Sequence, residues 1–152
     1  DPELLSGGER FDVVVLADVI EHTTDSSAAL QQALRFCADG GAVVVSVPNI
    51  AHWSARLNLA RGRWDYTESG LMDRGHLRFF TPRTILAEMD AAGVEVETVS
   101  PVVPRLRNHV RSLRRLPRPV QARVEQGWQA LGRRRPALMA YQLIIVGRVR
   151  RG

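Results

Sequence analysis

Four side chains that can hold or transfer protons directly follow an apolar run near the start of the chain. The run is residues 11–17, FDVVVLA, which is typical of a strand buried on both faces in a parallel sheet. The side chains after it are Asp18, Glu21, His22 and Asp25. Burial against apolar walls raises the pKa of a carboxylate, and a histidine at that position could serve as a general base. The alternative is the first turn of a helix, where the helix dipole favours acids, and spacing alone does not separate the two interpretations.

A second polar position follows the next apolar run, in SVPN, residues 46–49. Pro48 prevents the strand from continuing, and Asn49 can offer both a donor and an acceptor at the carboxyl edge of a sheet. Taken alone, this pattern is also typical of an ordinary turn.

Residues 50–80 are predicted to be irregular, and their part 62–81, GRWDYTESGLMDRGHLRFFT, is rich in aromatic and charged side chains. Long loops in compact domains are usually functional and are often lids. Aromatic rings there would form apolar walls, while Asp, His and Arg would orient a substrate and transfer protons. The candidates are Trp64, Tyr66, Asp73, His76 and Arg78. The alternative is a loop packed down by its own aromatic rings, with Phe79 and Phe80 in the core.

Strands and helices alternate along the rest of the chain. The sequence predicts a strand over 11–17, a helix from about 25 to the Gly40-Gly41 pair and a strand over 42–47, which is a βαβ unit. A helix begins at Thr81-Pro82 and ends at Gly93, since Thr is a good N-cap and Pro a good first residue. Strands follow at 94–99 and 138–149. We therefore expect an α/β fold with ligands outside the carboxyl ends of its strands.

Composition excludes several classes of protein. The chain has 152 residues, enough for one domain with a core, and no apolar run reaches the roughly 18 residues of a spanning helix. Its single cysteine, Cys37, excludes an internal disulfide framework and a metal site built of cysteines. The chain opens with neither a signal peptide nor a methionine, so we expect a mature fragment or an excised domain.

Charge divides the chain in two. Residues 1–100 hold eight Arg and 15 acids, whereas residues 101–152 hold 13 Arg and one acid, Glu125. This division predicts an acidic to neutral body with a basic appendage.

The motifs, taken in order, closely resemble the carboxyl-terminal half of class I S-adenosylmethionine-dependent methyltransferases. The resemblance lies in FDVVVLADVIEH (11–22), ALRFCADGGAVVVSVPN (33–49), GRWDY…GLMDRGHLRFFT (62–81) and TILAEMDAAGVEVETV (84–99). The most specific part is the succession EH, PN, D-x-x-H-x-R-F-F-T and A-G. The whole resemblance covers about residues 4–100 and the last strand.

That resemblance implies a partial Rossmann-like sheet with strands equivalent to 4, 5, 6 and 7 of the family order 3-2-1-4-5-7-6. It implies S-adenosylmethionine as cofactor and methyl transfer to a glycan, lipid or small metabolite. It implies that the chain carries the substrate-side half of the site. The expected cofactor-binding residues are Leu16, Ala17 and Asp18, and the expected catalytic residues are His22, Glu21 and His76. The expected substrate-binding residues are Asn49, His52, Trp64, Tyr66, Asp73 and Arg78.

The family's Gly-rich cofactor loop has no counterpart in this sequence. Ser6-Gly7-Gly8 precedes a strand instead of following one, so it cannot replace that loop. We therefore expect weak or absent S-adenosylmethionine binding by this chain alone, an exposed edge at the first strand and a need for the missing amino-terminal half or a second copy. We also expect no metal ion at Glu21 and His22. Adjacent residues on a helix point in different directions and do not face one ion, as residues at positions i and i+4 would. The alternative is a non-catalytic methyltransferase-like docking or dimerisation module.

A basic insertion, residues 104–136, precedes the last strand and carries ten Arg. The apolar residues of the insertion recur at helical spacing on either side of Pro117 and Pro119, which predicts two short amphipathic helices. Such helices could lie on an anionic membrane or hold a phosphorylated acceptor, or they could be a solvated cap with Trp128 in the core. The lack of clustered aromatic rings disfavours nucleic acid. We expect one partial domain (core 1–103, insertion 104–136, final strand and tail 137–152) in the cytoplasm, at the inner face of the membrane if the insertion binds lipid.

Overall fold

The computed structural model describes residues 8–106 and 110–150. Four strands are present: β1 (Phe11–Ala17), β2 (Cys37–Pro48), β3 (Val94–Val102) and β4 (Gln142–Val149). The α-helices are α1 (Ser26–Leu34), α2 (Trp53–Ala60), α3 (Pro82–Ala91), α4 (Arg118–Arg134) and the short α5 (Pro136–Met139). Two 3-10 turns span Ile20–His22 and Arg111–Arg115.

The strands form one mixed sheet in the order β1-β2-β4-β3. β1 and β2 are parallel, and β4 runs antiparallel to both of its neighbours, β2 and β3. This order equals 4-5-7-6 of the resembling family, so the predicted α/β fold with a partial Rossmann-like sheet is confirmed. Because β4 is reversed, its amino-terminal end lies at the same edge as the carboxyl ends of β1 and β2.

The core lies between the sheet and its helices. Val43, Val45 and Ile145 are fully buried in the centre of the sheet, and Ile85 and Met89 of α3 are fully buried with them. α3 begins where the sequence predicted, because the Thr81 hydroxyl accepts a hydrogen bond from the Thr84 N–H and Pro82 occupies the first turn. The helix ends before Gly93, whose φ of 81° few other residues adopt.

β1 is an edge strand, and the prediction that both of its faces are buried is wrong. Phe11, Val13 and Val15 are 41%, 53% and 59% exposed. These three side chains alternate along the strand and therefore share one face. Nothing in residues 8–106 and 110–150 pairs with the outer edge of β1.

The first helix ends earlier than predicted. α1 ends at Leu34, and Cys37 already belongs to β2, where it pairs with Phe11. The next paired residues are Val13 and Ala42. Two residues along β1 therefore correspond to five along β2, and the extra residues between Cys37 and Ala42 form a bulge in the ladder. Gly41 permits this close turn, since a Cβ there would lie 2.8 Å from the Ala38 carbonyl oxygen.

Helical structure differs from the prediction in four further places. The segment expected to be irregular over 50–80 contains α2. Pro119 lies in the first turn of α4 and does not separate two helices, because a proline is tolerated there. The first predicted helix of the insertion appears over 111–115 as a 3-10 turn, and its residues 107–109 lie outside the described chain. Pro136 starts α5, so the last strand begins at Gln142 instead of Leu138.

Trp128 fixes the insertion to the domain, but it is half-buried instead of lying in the core as one interpretation predicted. Its Nε1–H donates to the Pro104 carbonyl at 2.9 Å, and it meets the ring of Trp53 edge to face at 6.2 Å. Among the described helices, none has the length and apolar character needed to cross a bilayer.

Candidate functional site

A pocket of about 160 Å³ opens at the edge where β1 and β2 end and β4 begins. Its lining comes from these strand ends and from the loop before α3: Asp18, Glu21, Pro48, Gly70, His76, Tyr141 and Gln142. Polar and titratable groups from distant parts of the chain therefore meet at one place. A cleft outside the carboxyl ends of parallel strands is where α/β sheets bind ligands.

Asp18 turns the chain away from the sheet directly after β1. Its φ of 53° lies in the left-handed region, which Asp tolerates better than most residues. Its N–H still donates to the Ser46 carbonyl at 3.1 Å, which continues the pairing that Leu16 and Ala17 make with β2. The Gln142 amide donates to Asp18 Oδ1 at 2.7 Å and so holds the carboxylate at the pocket.

Glu21 lies beneath the pocket and is 1% exposed. Its backbone carbonyl accepts hydrogen bonds from the Leu77 and Arg78 N–H groups at 2.8 and 3.0 Å, which joins the 3-10 turn to the loop before α3. Burial raises the pKa of the Glu21 carboxyl, and the nearby negative charge of Asp18 adds to that shift. The side chain is thus a buried acid beside the pocket.

His22 and His76 lie edge to face with ring centroids 4.9 Å apart. The His22 Nδ1–H donates to the Gly75 carbonyl at 2.9 Å. Because a carbonyl oxygen only accepts, Nδ1 must carry the proton, and in the neutral ring Nε2 then keeps its lone pair. His76 is 8% exposed and lines the pocket. The arrangement therefore provides one imidazole of defined tautomer beside a second that lines the pocket.

Glu21, His22 and His76 could also hold a metal ion, since one ligand atom from each lies within 4.8 Å of the others. The reason given for expecting no metal was therefore wrong. Glu21 and His22 belong to a 3-10 turn instead of an α-helix, and His76 approaches from another segment. The absence of a metal stays a prediction.

Asn49 and His52 are fully buried and do not belong to the pocket lining. The Asn49 amide donates to the carbonyls of Ala137 and Ala140 at 3.1 and 2.8 Å, and its oxygen accepts from the Ala51 N–H. His52 is the N-cap of α2. The geometry gives both residues structural contacts, and their roles in substrate binding stay predictions.

The four remaining predicted substrate residues lie outside the lining of this pocket. Trp64 is 41% exposed and meets Phe79 edge to face, and Tyr66 is 51% exposed. Asp73 Oδ1 accepts from the Gly75 N–H at 2.7 Å, so this carboxylate shapes the turn that holds His76. Arg78 Nε donates to the Thr24 carbonyl at 3.0 Å, which ties the same loop to the end of the 3-10 turn.

Tyr141, Gln142 and Gly70 belong to the pocket although the sequence did not single them out. The Tyr141 hydroxyl accepts from the Leu71 N–H at 3.2 Å and packs against Gly70, whose φ is 93°. The predicted strand order did contain a signal for Tyr141 and Gln142. A last strand that runs antiparallel to β2 begins at the edge of the sheet where β2 ends, which is the edge where ligands are expected. No local pattern marks Gly70.

Comparison with known proteins agrees with this architecture. A family model described as a methyltransferase domain matches residues 1–99. A ubiquinone biosynthesis O-methyltransferase of Azorhizobium caulinodans is 34% identical over 108 residues, which are 66% of this chain and 40% of that protein.

Solved structures share the fold. An S-adenosylmethionine-dependent methyltransferase of Thermotoga maritima superposes with a TM-score of 0.58 at 16% identity, over 93% of this chain and 57% of that one. Phosphoethanolamine N-methyltransferase 2 of Haemonchus contortus, solved with S-adenosyl-L-methionine, gives a TM-score of 0.52 at 14% identity, over 93% of this chain and 34% of that one. The chain thus spans 40% of the curated relative and just over half of the Thermotoga structure. With a matching family model over residues 1–99 and the strand order of the resembling fold, the chain belongs to the methyltransferase-domain family.

Proposed function

We propose that the intact gene product transfers a methyl group from S-adenosylmethionine to a hydroxyl of a glycan, a lipid or a small metabolite, and that this chain carries the acceptor side of the site. Membership of the methyltransferase family supports the reaction, and the name of the Azorhizobium relative supports an oxygen acceptor. The observation that carries the proposal is the hydrogen bond from His22 to Gly75, which fixes the tautomer of an imidazole beside the pocket.

The cofactor's methionine portion would lie along the end of β1. In the resembling family the backbone after this strand is beside the cofactor, which points to Leu16, Ala17 and Asp18. Asp18 lines the pocket and is held there by Gln142, so a polar group is available for a charged ligand. The sulfonium of the bound cofactor supplies a methyl group that needs little activation, so the protein has to align the acceptor and remove one proton.

His22 is the proton acceptor in this proposal. Because Nδ1–H donates to the Gly75 carbonyl, Nε2 is the basic atom of the neutral ring. His76 lines the pocket and orients the acceptor hydroxyl. The buried carboxyl of Glu21 lies close to both rings and would stabilise the positive charge that forms on His22.

The chain needs a partner surface in this proposal, and β1 provides the reason. Its outer edge and the exposed side chains of Phe11, Val13 and Val15 fit the amino-terminal half of a methyltransferase domain or a second copy of the chain. The same observation favours the alternative function, a non-catalytic docking or dimerisation module. The basic insertion could hold a phosphorylated acceptor.

Methyl transfer by the intact gene product tests the reaction. Labelled S-adenosylmethionine would be incubated with separate lipid, glycan and polar-metabolite extracts. A positioned base contributes about 10²–10⁴ in rate, so His22→Asn should lower transfer at least about 100-fold, while Gln31→Ala on the exposed side of α1 leaves it unchanged. If no fraction is methylated and the chain self-associates stably, the methyl-transfer proposal is contradicted and the docking or dimerisation module is supported.

Two further measurements separate the parts of the proposal. Calorimetry should show no micromolar binding of S-adenosylmethionine to this chain alone, and light scattering should show self-association at high concentration; a monomer with micromolar affinity contradicts the need for a partner. Treatment with EDTA should leave transfer unchanged. If activity is lost with EDTA and restored by Mg²⁺, Glu21, His22 and His76 are metal ligands, and the proposal that His22 is the general base is wrong.

A further inference from the structure

The outer face of α4 carries an apolar stripe. Val120, Val124 and Leu131 are 41%, 36% and 44% exposed. With about 100° per residue, their positions fall within roughly 40° around the helix axis. The stripe is therefore a continuous feature along the length of the helix, unlike isolated apolar residues on a protein surface.

Arginines border this stripe on one side. Arg123 and Arg134 lie beside it, displaced by roughly 40–60° from Val120 around the axis, and both are exposed. Further exposed arginines of the insertion are Arg105, Arg115, Arg118, Arg133 and Arg135. In the part of the chain that the structure describes, no ion pair reaches any of these side chains. Their positive charge is thus available to an external partner.

The single acid of the insertion is turned away from this surface. Glu125 accepts hydrogen bonds from the Leu106 N–H at 3.2 Å and the Gln129 side chain at 3.3 Å, on the half-buried side of the helix. The same side is fixed to the domain by Trp128 and by Gly132, where a Cβ would lie 2.7 Å from Val103. The rotation of α4 about its axis is therefore set by packing, and the stripe and its arginines face outward together.

We propose that α4 lies on the surface of an anionic phospholipid bilayer. Val120, Val124 and Leu131 enter the interface between headgroups and acyl chains, and the arginines beside them bind lipid phosphates. Arginine suits both tasks, since its stem packs on apolar surface while the guanidinium binds phosphate in a bidentate manner. Nucleic acid would satisfy the arginines and leave the apolar stripe in water, so the observations favour a lipid surface. This inference does not depend on the methyl-transfer reaction.

The surface is joined to the candidate pocket. α4 continues into α5 and then β4, and the carbonyls of Ala137 and Ala140 are held by the Asn49 amide at the end of β2. A membrane bound at α4 would therefore be connected through a short, hydrogen-bonded segment to Tyr141 and Gln142 of the pocket lining.

Co-sedimentation of the intact gene product with vesicles tests this proposal. Vesicles of phosphatidylcholine with 30% phosphatidylglycerol should bind the protein, and vesicles of phosphatidylcholine alone should not. Arg123→Glu with Arg134→Glu should weaken binding at least about tenfold. Arg61→Glu with Arg83→Glu, which makes the same change in charge at exposed positions elsewhere, should retain binding.

A second variant separates lipid from other anions. Val120→Ser with Leu131→Ser keeps the charge and removes most of the stripe, so it should lose vesicle binding about as strongly as the charge reversal. A single-stranded oligonucleotide is the competing probe: tight oligonucleotide binding that is unaffected by the serine variant, with no vesicle binding, would overturn the proposal in favour of nucleic acid. Equal binding to both vesicle types, or retention of binding by the serine variant, would also overturn it.

Discussion

The ring of His22 lies edge to face with that of His76, at 4.9 Å between centroids, and the carbonyl that fixes its tautomer belongs to Gly75, the residue directly before His76. One turn therefore positions both imidazoles. It is held by the Asp73 carboxylate, which accepts the Gly75 N–H. The relationship makes Gly75 a positioning residue for both histidines.

Gly75→Ala should disturb this pair without unfolding the domain. The added Cβ would lie 3.2 Å from His22 Nδ1 and 3.1 Å from Asp73 Oδ1, so the imidazole has to move by a few tenths of an ångström. On the proposed reaction, with His22 as the base, we expect roughly a tenfold fall in kcat for methyl transfer, because small misplacement of a catalytic group is costly. Gly127→Ala in α4 is the matched control, since its Cβ meets nothing within 4 Å. Equal activity of both variants would contradict a positioning role for Gly75.

Glu21→Gln should change how stability depends on pH. Burial raises the pKa of Glu21 above its ordinary value of 4.5, so the native state holds this proton more tightly than the unfolded chain. The free energy of unfolding therefore falls as pH rises from 4.5 through the raised native pKa, and the loss is complete above it. Removing the acid should therefore stabilise the protein at a pH above the raised native pKa and have no effect of this kind below pH 4.5.

Urea unfolding at several pH values measures the effect of Glu21→Gln. The control is Glu68→Gln, whose carboxylate is 81% exposed and pairs with Arg74. That change should alter stability by less than about 0.5 kcal/mol at any pH. If the stability of the Glu21→Gln variant depends on pH in the same way as that of the unmodified chain, ionisation of the Glu21 carboxyl does not cause the predicted loss of stability as pH rises.

Gly70→Ala should destabilise the fold through Tyr141. The residue has a φ of 93°, and a Cβ there would collide with the Tyr141 hydroxyl. Gly62→Ala carries only the backbone strain, since φ is 70° and its Cβ meets open space. We expect a cost of about 1 kcal/mol at Gly62 and about 2–3 kcal/mol at Gly70.

A double-mutant cycle with Tyr141→Phe isolates the steric part of the Gly70 effect. Phenylalanine removes the hydroxyl that would meet the new Cβ, at the cost of the hydrogen bond from Leu71. The Gly70→Ala cost should therefore fall by at least about 1 kcal/mol in the Tyr141→Phe background. Additive costs would show that the hydroxyl does not limit this position.

Asn49→Ala should act on stability. The variant leaves the carbonyls of Ala137 and Ala140 and the Ala51 N–H without their partner, the last two in a buried place, which costs about 2–4 kcal/mol in sum. Asn58→Ala, an exposed change on α2, should cost less than about 0.5 kcal/mol. Thermal unfolding checks both. An unchanged melting temperature for Asn49→Ala, with a raised KM for the acceptor, would return Asn49 to the substrate residues.

Local sequence determined the elements whose signals are short and physical. The capping residues Thr81 and Pro82 and the buried positions Ile85 and Met89 could be predicted because caps and helical periodicity depend on near neighbours. The position of the acids and of His22 after β1 was equally readable, and so was the strand order through the family resemblance.

Tertiary structure decided which polar residues line the pocket. Asn49 and His52 are residue types common in binding sites, but their polar atoms make contacts within the fold. Asn49 donates to a carbonyl of the 137–140 segment, and His52 caps the start of α2. Tyr141 and Gln142 reach the pocket because β4 is inserted antiparallel beside β2. His22 and His76 meet because the turn at Gly75 folds back on the 3-10 turn. Such contacts join residues far apart in the chain, so no local periodicity encodes them, and only the closed packing of sheet, loop and insertion sets their distances.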